Sequence, residues 1–173
     1  MTRSNRALAG VQLLSALFGF VLPDGRLTPG ATGPETGAAA PIGEICTRGY
    51  ARSVRHRYDA DWRRYRVAMF RAYGIPHDQW RAYTVDHVVP LELGGRPFGV
   101  DAMGRPDLRN VWPEPKADAR QKDAVEDALH ASVCYTRGYR GFHLTLAQAC
   151  AAIARDWTRT PVGLPPQHQK GSD

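Results

Sequence analysis

Apolar side chains recur at three- and four-residue steps in three places along the chain. Trp62, Tyr65, Met69 and Tyr73 form one stripe, and Arg63, Arg64, Arg66 and Arg71 occupy the remaining surface. That spacing predicts a helix that Asp59 caps and that Gly74 and Pro76 stop. A second stripe, Val125, Ala128, Leu129 and Val133, predicts a helix from near Asp118 to about Val133, with Lys122 and Glu126 as an i,i+4 pair. The third stripe is Leu146, Cys150, Ile153 and Trp157, and it follows Thr145-Leu146-Ala147-Gln148, a capping box. Between the first two helices the residue types change to β-formers. Tyr83-Thr84-Val85 and Val88-Val89 flank an Asp86-His87 pair, and the run breaks at Gly94-Gly95. Asn110-Val111-Trp112 reads as a short return strand, closed by Pro113 and Pro115. Gly49 to Arg55 reads as extended, anchored by Tyr50 and Val54.

These elements lie within residues 44–158, which predicts one domain of mixed α+β class. Residues 23–43 are Gly, Pro, Thr and Ala with few large apolar side chains beyond Leu27 and Ile42, the composition of a disordered linker. Arg3 and Arg6 precede a mostly apolar run, Ala7 to Leu22, interrupted by Gln12 and Ser15. Residues 1–22 therefore have the pattern of a signal peptide or N-terminal anchor. The run is too short and mixed for a stable membrane span, and a mis-assigned start is the other explanation. Export implies a secreted or cell-envelope protein; without a functional leader the location is cytoplasmic. Residues 159–173, with Pro161, Pro165 and Pro166, read as a loose tail.

Charge narrows the partners. The formal net charge is +6. Residues 1–40 carry three arginines and two acids, so removing them lowers the charge by only one. A basic domain suits nucleic acid or another polyanion, although a GC-rich genome explains the arginine content equally well. The three cysteines, Cys46, Cys134 and Cys150, contain no Cys-x-x-Cys pair, which argues against a thiolate zinc site. In an exported chain they fit one disulfide and one buried thiol. Cys46 and Cys134 flank the core segments, whereas Cys150 falls in an Ala-rich helix, so Cys46–Cys134 is the expected pair.

An acid beside an imidazole on a strand is an odd choice for packing. Two strands, a loop and a helix form a ββα unit, which can bring Asp86 and His87 against the first turn of the helix at Asp118. Asp86 and Asp118 would give two hard oxygen ligands to one divalent cation. His87 is poised to take a proton from water, and Asn110 can hydrogen-bond across the loop to fix the imidazole. Together these parts describe metal-assisted phosphodiester hydrolysis.

Asp86-His87-x-x-Pro90-Leu91-Glu92-Leu93-Gly94-Gly95, then Asn110-x-Trp112-Pro113-Glu114, then Ala119-Arg120-x-Lys122-Asp123, resemble the HNH endonucleases, also called His-Me finger or ββα-metal nucleases. The likeness is greatest to small exported bacterial HNH-type proteins. In those, segments like Gly49 to Arg55 and Leu129 to Cys134 flank the motif, so the resemblance spans about residues 46–157. It implies a small ββα-metal (HNH) core with flanking helices. His87 matches the general base, Asp86 the adjacent metal ligand, and Asn110 the asparagine that orients the loop and the histidine. The third motif position, His or Asn in the family, falls on Asp118, a departure, with Asp123 the competing residue. The structural-zinc cysteines of some HNH domains are absent here.

The implied activity is a metal-dependent endonuclease of low sequence specificity acting on nucleic acid, with DNA favoured. The cofactor would be one divalent cation, Mg²⁺ or Mn²⁺ first, with Zn²⁺ or Ni²⁺ as alternatives. No small-molecule cofactor is expected. Arg120 and Lys122 are candidate phosphate contacts, with a solvated helix face as the competing account. Glu92 is read as an ion-pair partner of an arginine and Trp112 as core. Two rivals stand beside the enzyme: a non-catalytic nucleic-acid-binding protein that keeps the ββα fold, and a basic envelope protein that binds anionic polymers.

Overall fold

A computed structural model describes residues 21–33, 40–58, 62–99, 105, 107–135 and 140–160. Helix α1 (Ile42–Ile45) is a single turn; α2 (Tyr50–Tyr58) and α3 (Trp62–Ala72) follow. A 3₁₀ turn, His77–Ala82, leads into strand β1 (Tyr83–His87), and a second, Leu91–Leu93, follows it. Strand β2 (Val111–Pro115) runs directly into α4 (Lys116–Val133), and α5 (Leu146–Asp156) completes the helices. The protein is α+β: helices around one two-stranded antiparallel sheet. The register pairs Tyr83 with Pro115, Thr84 with Glu114, Val85 with Pro113, Asp86 with Trp112 and His87 with Val111. Pro113 and Pro115 lie inside β2 and do not close it, because a two-stranded sheet leaves the far edge of β2 without a ladder to feed.

The hairpin sits between two apolar clusters. One joins α4, α5 and the turn after β1 through Val89, Leu93, Leu129, Val133, Ile153 and Trp157. The other packs Met69 and Phe70 of α3 on Val111, with Tyr83, Val85 and Phe98 against them. The Thr145–Gln148 capping box forms as the sequence predicts: the Thr145 side chain accepts from the Gln148 N–H, and Gln148 accepts from the Thr145 N–H. The second helix stripe also folds as predicted, beginning two residues before Asp118. Asp59 lies outside the described residues, so the expected cap of α3 does too.

Gly49 to Arg55 is not extended; it opens α2. Tyr50 and Val54 are four apart, a spacing that serves one helix face as well as alternate strand positions. Gly49, at φ 87°, turns the chain so that Val54 becomes buried. Helix wins because α2 can lay that face on the Leu91–Leu93 turn, while both strands of the hairpin are already paired with each other.

Part of the Gly/Pro-rich stretch is also tied to the domain. The Gly30 and Ala31 N–H groups donate to the Arg109 carbonyl, and Arg96 N–H donates to Ala31 O. Thr28 is buried, donating to Val111 O at 3.1 Å and accepting from the Tyr73 hydroxyl at 2.8 Å. Hydrogen bonds from the backbone and from the Thr28 hydroxyl tie residues 28–33 to the domain, which is why composition does not announce them. Residues 34–39, most of the expected leader (1–20) and the tail beyond Thr160 lie outside the described residues. Cys46 and Cys134 are bonded, with Cα atoms 5.5 Å apart, and Cys150 is a buried free thiol. Among the described residues no helix is long and apolar enough to cross a membrane.

Two residues bracket the loop between the strands. Gly95 packs so tightly that a Cβ would lie 1.8 Å from Val89 O. Asp107 is buried between Arg96 Nε (2.5 Å) and Arg109 Nη2 (2.8 Å). Burial raises its carboxyl, but the hydrogen bonds from Arg109 and Arg96 outweigh it and hold the pKa down at about 2. Gly95→Ala is expected to cost about 3 kcal/mol in urea unfolding, since backbone cannot give way as a side-chain tip does. Asp107→Asn is expected to cost about 2 kcal/mol at pH 7. Because the folded carboxyl titrates below its unfolded value, that stabilisation is present above pH ~4 and lost as pH falls towards ~2. The difference between wild type and variant should therefore close over that window in pH-dependent thermal melts.

Candidate functional site

His87 is the last residue of β1, and the chain must leave the sheet directly after it. Asn110 makes this exit rigid. Its backbone carbonyl accepts from Val88 N–H, its Oδ1 accepts from Val89 N–H at 2.9 Å, and its Nδ2 donates to Val89 O and Arg96 O. Only a side chain with both an acceptor and a two-proton donor can satisfy this set. Asn110 thus bonds the backbone beyond the histidine, and its effect on the imidazole passes through that backbone.

An open cavity of about 370 Å³ lies at this end of the hairpin. Thr84, Asp86 and His87 of β1, Glu114 of β2, and Ala119 and Asp123 of α4 line it, with Arg55, Trp62 and Phe98 on the other sides. Thr84 faces Glu114 across the sheet, and Asp86 is two positions further along β1, so Asp86 and Glu114 are diagonal neighbours on one face. A second cavity of about 50 Å³ shares Arg55, Asp86 and His87 and is closed by Glu92 and Glu126. Glu92 Oε1 is buried without a hydrogen-bond partner among the described residues, and burial raises its carboxyl.

The His87 ring packs on Phe98 with centroids 5.0 Å apart, and its Nε2 has no hydrogen-bond partner among the described residues. Burial, only partly offset by Asp86, lowers its pKa to about 4, so the imidazole is neutral at pH 7 and able to accept a proton. Glu114 shows the opposite displacement. Burial first, then repulsion from Asp86, raises its carboxyl to about 8, and its Oε1 is also without a partner. Asp123 is raised by burial and by Asp86 in the same way. A neutral imidazole and a carboxyl that burial and its acidic neighbours hold above the usual carboxylate range thus face one cavity.

Lys122 is the other half of the electrostatics. Its side chain is buried, and its ammonium donates to Asp86 Oδ2 at 2.5 Å, to His87 O at 2.8 Å and to Glu126 Oε1. The lysine therefore bonds three protein acceptors from inside the domain, not phosphate from its surface. Arg120 is exposed on α4. Asp118, in the first turn of α4, is buried and does not line the cavity; its Oδ2 accepts from Val21 N–H at 3.2 Å. The residues brought together with Asp86 and His87 are instead Glu114 and Asp123. Asp123 was visible as the competitor to Asp118. Glu114 carried a usable signal in its place two residues after Trp112, on the same strand face.

Among the described residues, no three His, Cys, Asp or Glu side chains are grouped to hold a metal ion. Zinc or nickel sites built from several nitrogen or sulfur ligands do not fit this donor set. Asp86 and Glu114 fit a cation of the Mg²⁺ type, which binds through one or two carboxylates and completes its shell with water and substrate oxygens. The unpartnered Glu114 oxygen and the mutual repulsion of the carboxylates are what such a cation would relieve. The chain matches no family model, no curated protein and no solved structure.

Replacing Lys122 by Met keeps the length of the side chain and removes the charge. Asp86 and Glu126 would then be left as unpaired, mostly buried carboxylates, with an expected loss of about 3 kcal/mol at pH 7 in chemical unfolding. An unchanged midpoint would show that the two bonds from Lys122 to Asp86 and His87 do not hold α4 to β1.

Proposed function

We propose that the protein is a metal-dependent nuclease of the HNH type, hydrolysing phosphodiester bonds of nucleic acid, with DNA favoured and little sequence readout. The observation that carries this reading is the neutral His87 imidazole, its Nε2 unpartnered at the wall of a cavity shared with Asp86 and Glu114. The hairpin followed directly by α4 has the order of a ββα core, and Asn110 braces it as the motif resemblance implies.

In this reading His87 takes the proton from the attacking water. Phe98 holds the ring in place, and Asn110 fixes the backbone that follows it. Asp86 and Glu114 would hold the cation, and Asp123 lines the same cavity. Mg²⁺ or Mn²⁺ suits those oxygens. A bound divalent cation supplies Lewis-acid polarisation of the scissile phosphate and offsets charge on the leaving oxygen. Lys122 keeps Asp86 oriented from behind while its positive charge limits the repulsion among the carboxylates. Arg55, exposed in the cavity wall, and Arg120, next to the cavity-lining Ala119, are placed to meet phosphates. The Cys46–Cys134 disulfide suits an oxidising compartment and supports the reading of the N-terminus as an export signal.

A plasmid-nicking assay across Mg²⁺, Mn²⁺, Zn²⁺ and Ni²⁺ tests the reading. Wild type should nick with Mg²⁺ or Mn²⁺, and His87→Ala should lower the rate about 10²- to 10⁴-fold while DNA binding persists. Failure of the wild-type protein to cut DNA or RNA with any of these ions sinks the enzyme.

A further inference from the structure

Trp62 opens α3 yet contributes little to what anchors that helix, because Tyr65, Met69 and Phe70 already bury its core-facing side. Trp62 itself is 39% exposed where it lines the large cavity beside Asp86, His87 and Glu114. Its indole is held by the Arg66 guanidinium, 5.8 Å from the ring centroid. Arg66 is fixed in turn by Phe70, 5.0 Å away, and by donation to Trp80 O. An exposed aromatic braced in this way loses little freedom when it meets a ligand.

The rest of the cavity makes that ring more telling. Asp86, Glu114 and Asp123 line it with carboxyl groups, and what negative charge they carry repels a polyanion until a cation intervenes. Stacking on a nucleobase is indifferent to that charge. A base within a duplex has both faces covered by its neighbours, so only an unpaired base can offer a face to an indole at the mouth of the cavity. Phe98, stacked on Tyr65 at 5.2 Å and tilted against His87, forms another aromatic wall, so a base held at Trp62 would share the cavity with the imidazole.

We propose that Trp62 is a nucleobase-stacking subsite that gives this cavity a preference for unpaired nucleotides, in single strands or at melted positions, over intact duplex. The proposal rests on the nucleic-acid reading of the same cavity and adds the substrate class. The shared chemistry is the free face of a base, which DNA and RNA both supply.

The test uses the full chain carrying His87→Ala, so that strands stay intact, alone and combined with Trp62→Ala or Trp62→Phe. Binding of a labelled single-stranded DNA, the same sequence as RNA, and the DNA duplex is followed by anisotropy with Mg²⁺ present. Tryptophan emission is read in parallel: Trp112 and Trp157 are buried and Trp80 is half-buried, so Trp62 is the indole best placed to be quenched. The single strand should bind more tightly than the duplex and quench emission. Trp62→Ala should weaken single-strand binding about tenfold with duplex binding nearly unchanged, and Trp62→Phe should lose less. DNA and RNA arms that respond alike place the contact on the base; a loss confined to one assigns the subsite to that polymer. Equal loss for single strand and duplex, no loss, or no quenching overturns the subsite while leaving the nuclease intact. A wild type that nicks nothing and binds no strand overturns both. If Trp62→Ala does not fold, Trp62→Phe decides: quenching lost with single-strand preference kept in part supports the subsite, and quenching unchanged overturns it.

Discussion

One buried ammonium holds the site and the fold in the same place. Lys122 comes from the second turn of α4, and its three acceptors are the Asp86 carboxylate, the His87 carbonyl and the Glu126 carboxylate. Removing a lysine charge from water is costly, and the cost is met only because every donor finds an oxygen. The consequence is mechanical as well as electrostatic. The helix cannot slide along the hairpin without leaving a charge unpaired in the interior, so the spacing of Glu114, Asp123 and Asp86 around the cavity is set by that bond set. Asn110 does the equivalent for the loop, replacing a missing third strand with one side chain.

The same arrangement separates the titration of two neighbours. His87 is driven towards neutrality by burial, with Lys122 and Arg55 adding to the effect, and Glu114 is driven towards its protonated form by burial and by Asp86. Among the described residues neither His87 Nε2 nor Glu114 Oε1 has a hydrogen-bond partner. Folded domains leave few buried polar atoms unsatisfied, and two on one cavity wall are more naturally read as poised for a ligand than as packing errors. The proposed nuclease chemistry and the proposed stacking subsite both draw on that cavity, one on its polar floor and the other on its aromatic rim.

Much of the local structure could be read in advance. The stripes of α3, α4 and α5 and the Thr145 capping box are patterns over three to four residues, and the covalent chain alone enforces them. The disulfide was legible because one cysteine of three lay in an apolar helix. Asp86, His87 and Asn110 were singled out because they fall in a stretch that resembles a known motif, and the structure brings Asp86 and His87 to one cavity with Asn110 bonded to the backbone beyond them. Where two local readings competed, the local pattern did not decide. Tyr50 and Val54 suit a strand or a helix, and only the surface offered by the Leu91–Leu93 turn selects the helix. Residues 28–33 have no apolar signature, because Arg109, Arg96 and Val111, remote in the chain, supply or receive their hydrogen bonds.

The sequence by itself determined α3, α4, α5, the hairpin and the identity of the acid–imidazole pair, since each depends on neighbours within a few positions. Tertiary structure alone decided that Lys122 faces inward to Asp86, 36 positions away, and that Glu114 and Asp123 line the cavity while Asp118 turns to the Val21 amide. The physical reason is that whether a charge is solvated or buried depends on what packs over it. On a helix such as α4, a shift of one position moves a side chain by about 100° around the axis. Residue spacing placed the second carboxylate near the start of that helix; only the packed helix could say which carboxylate meets the cavity.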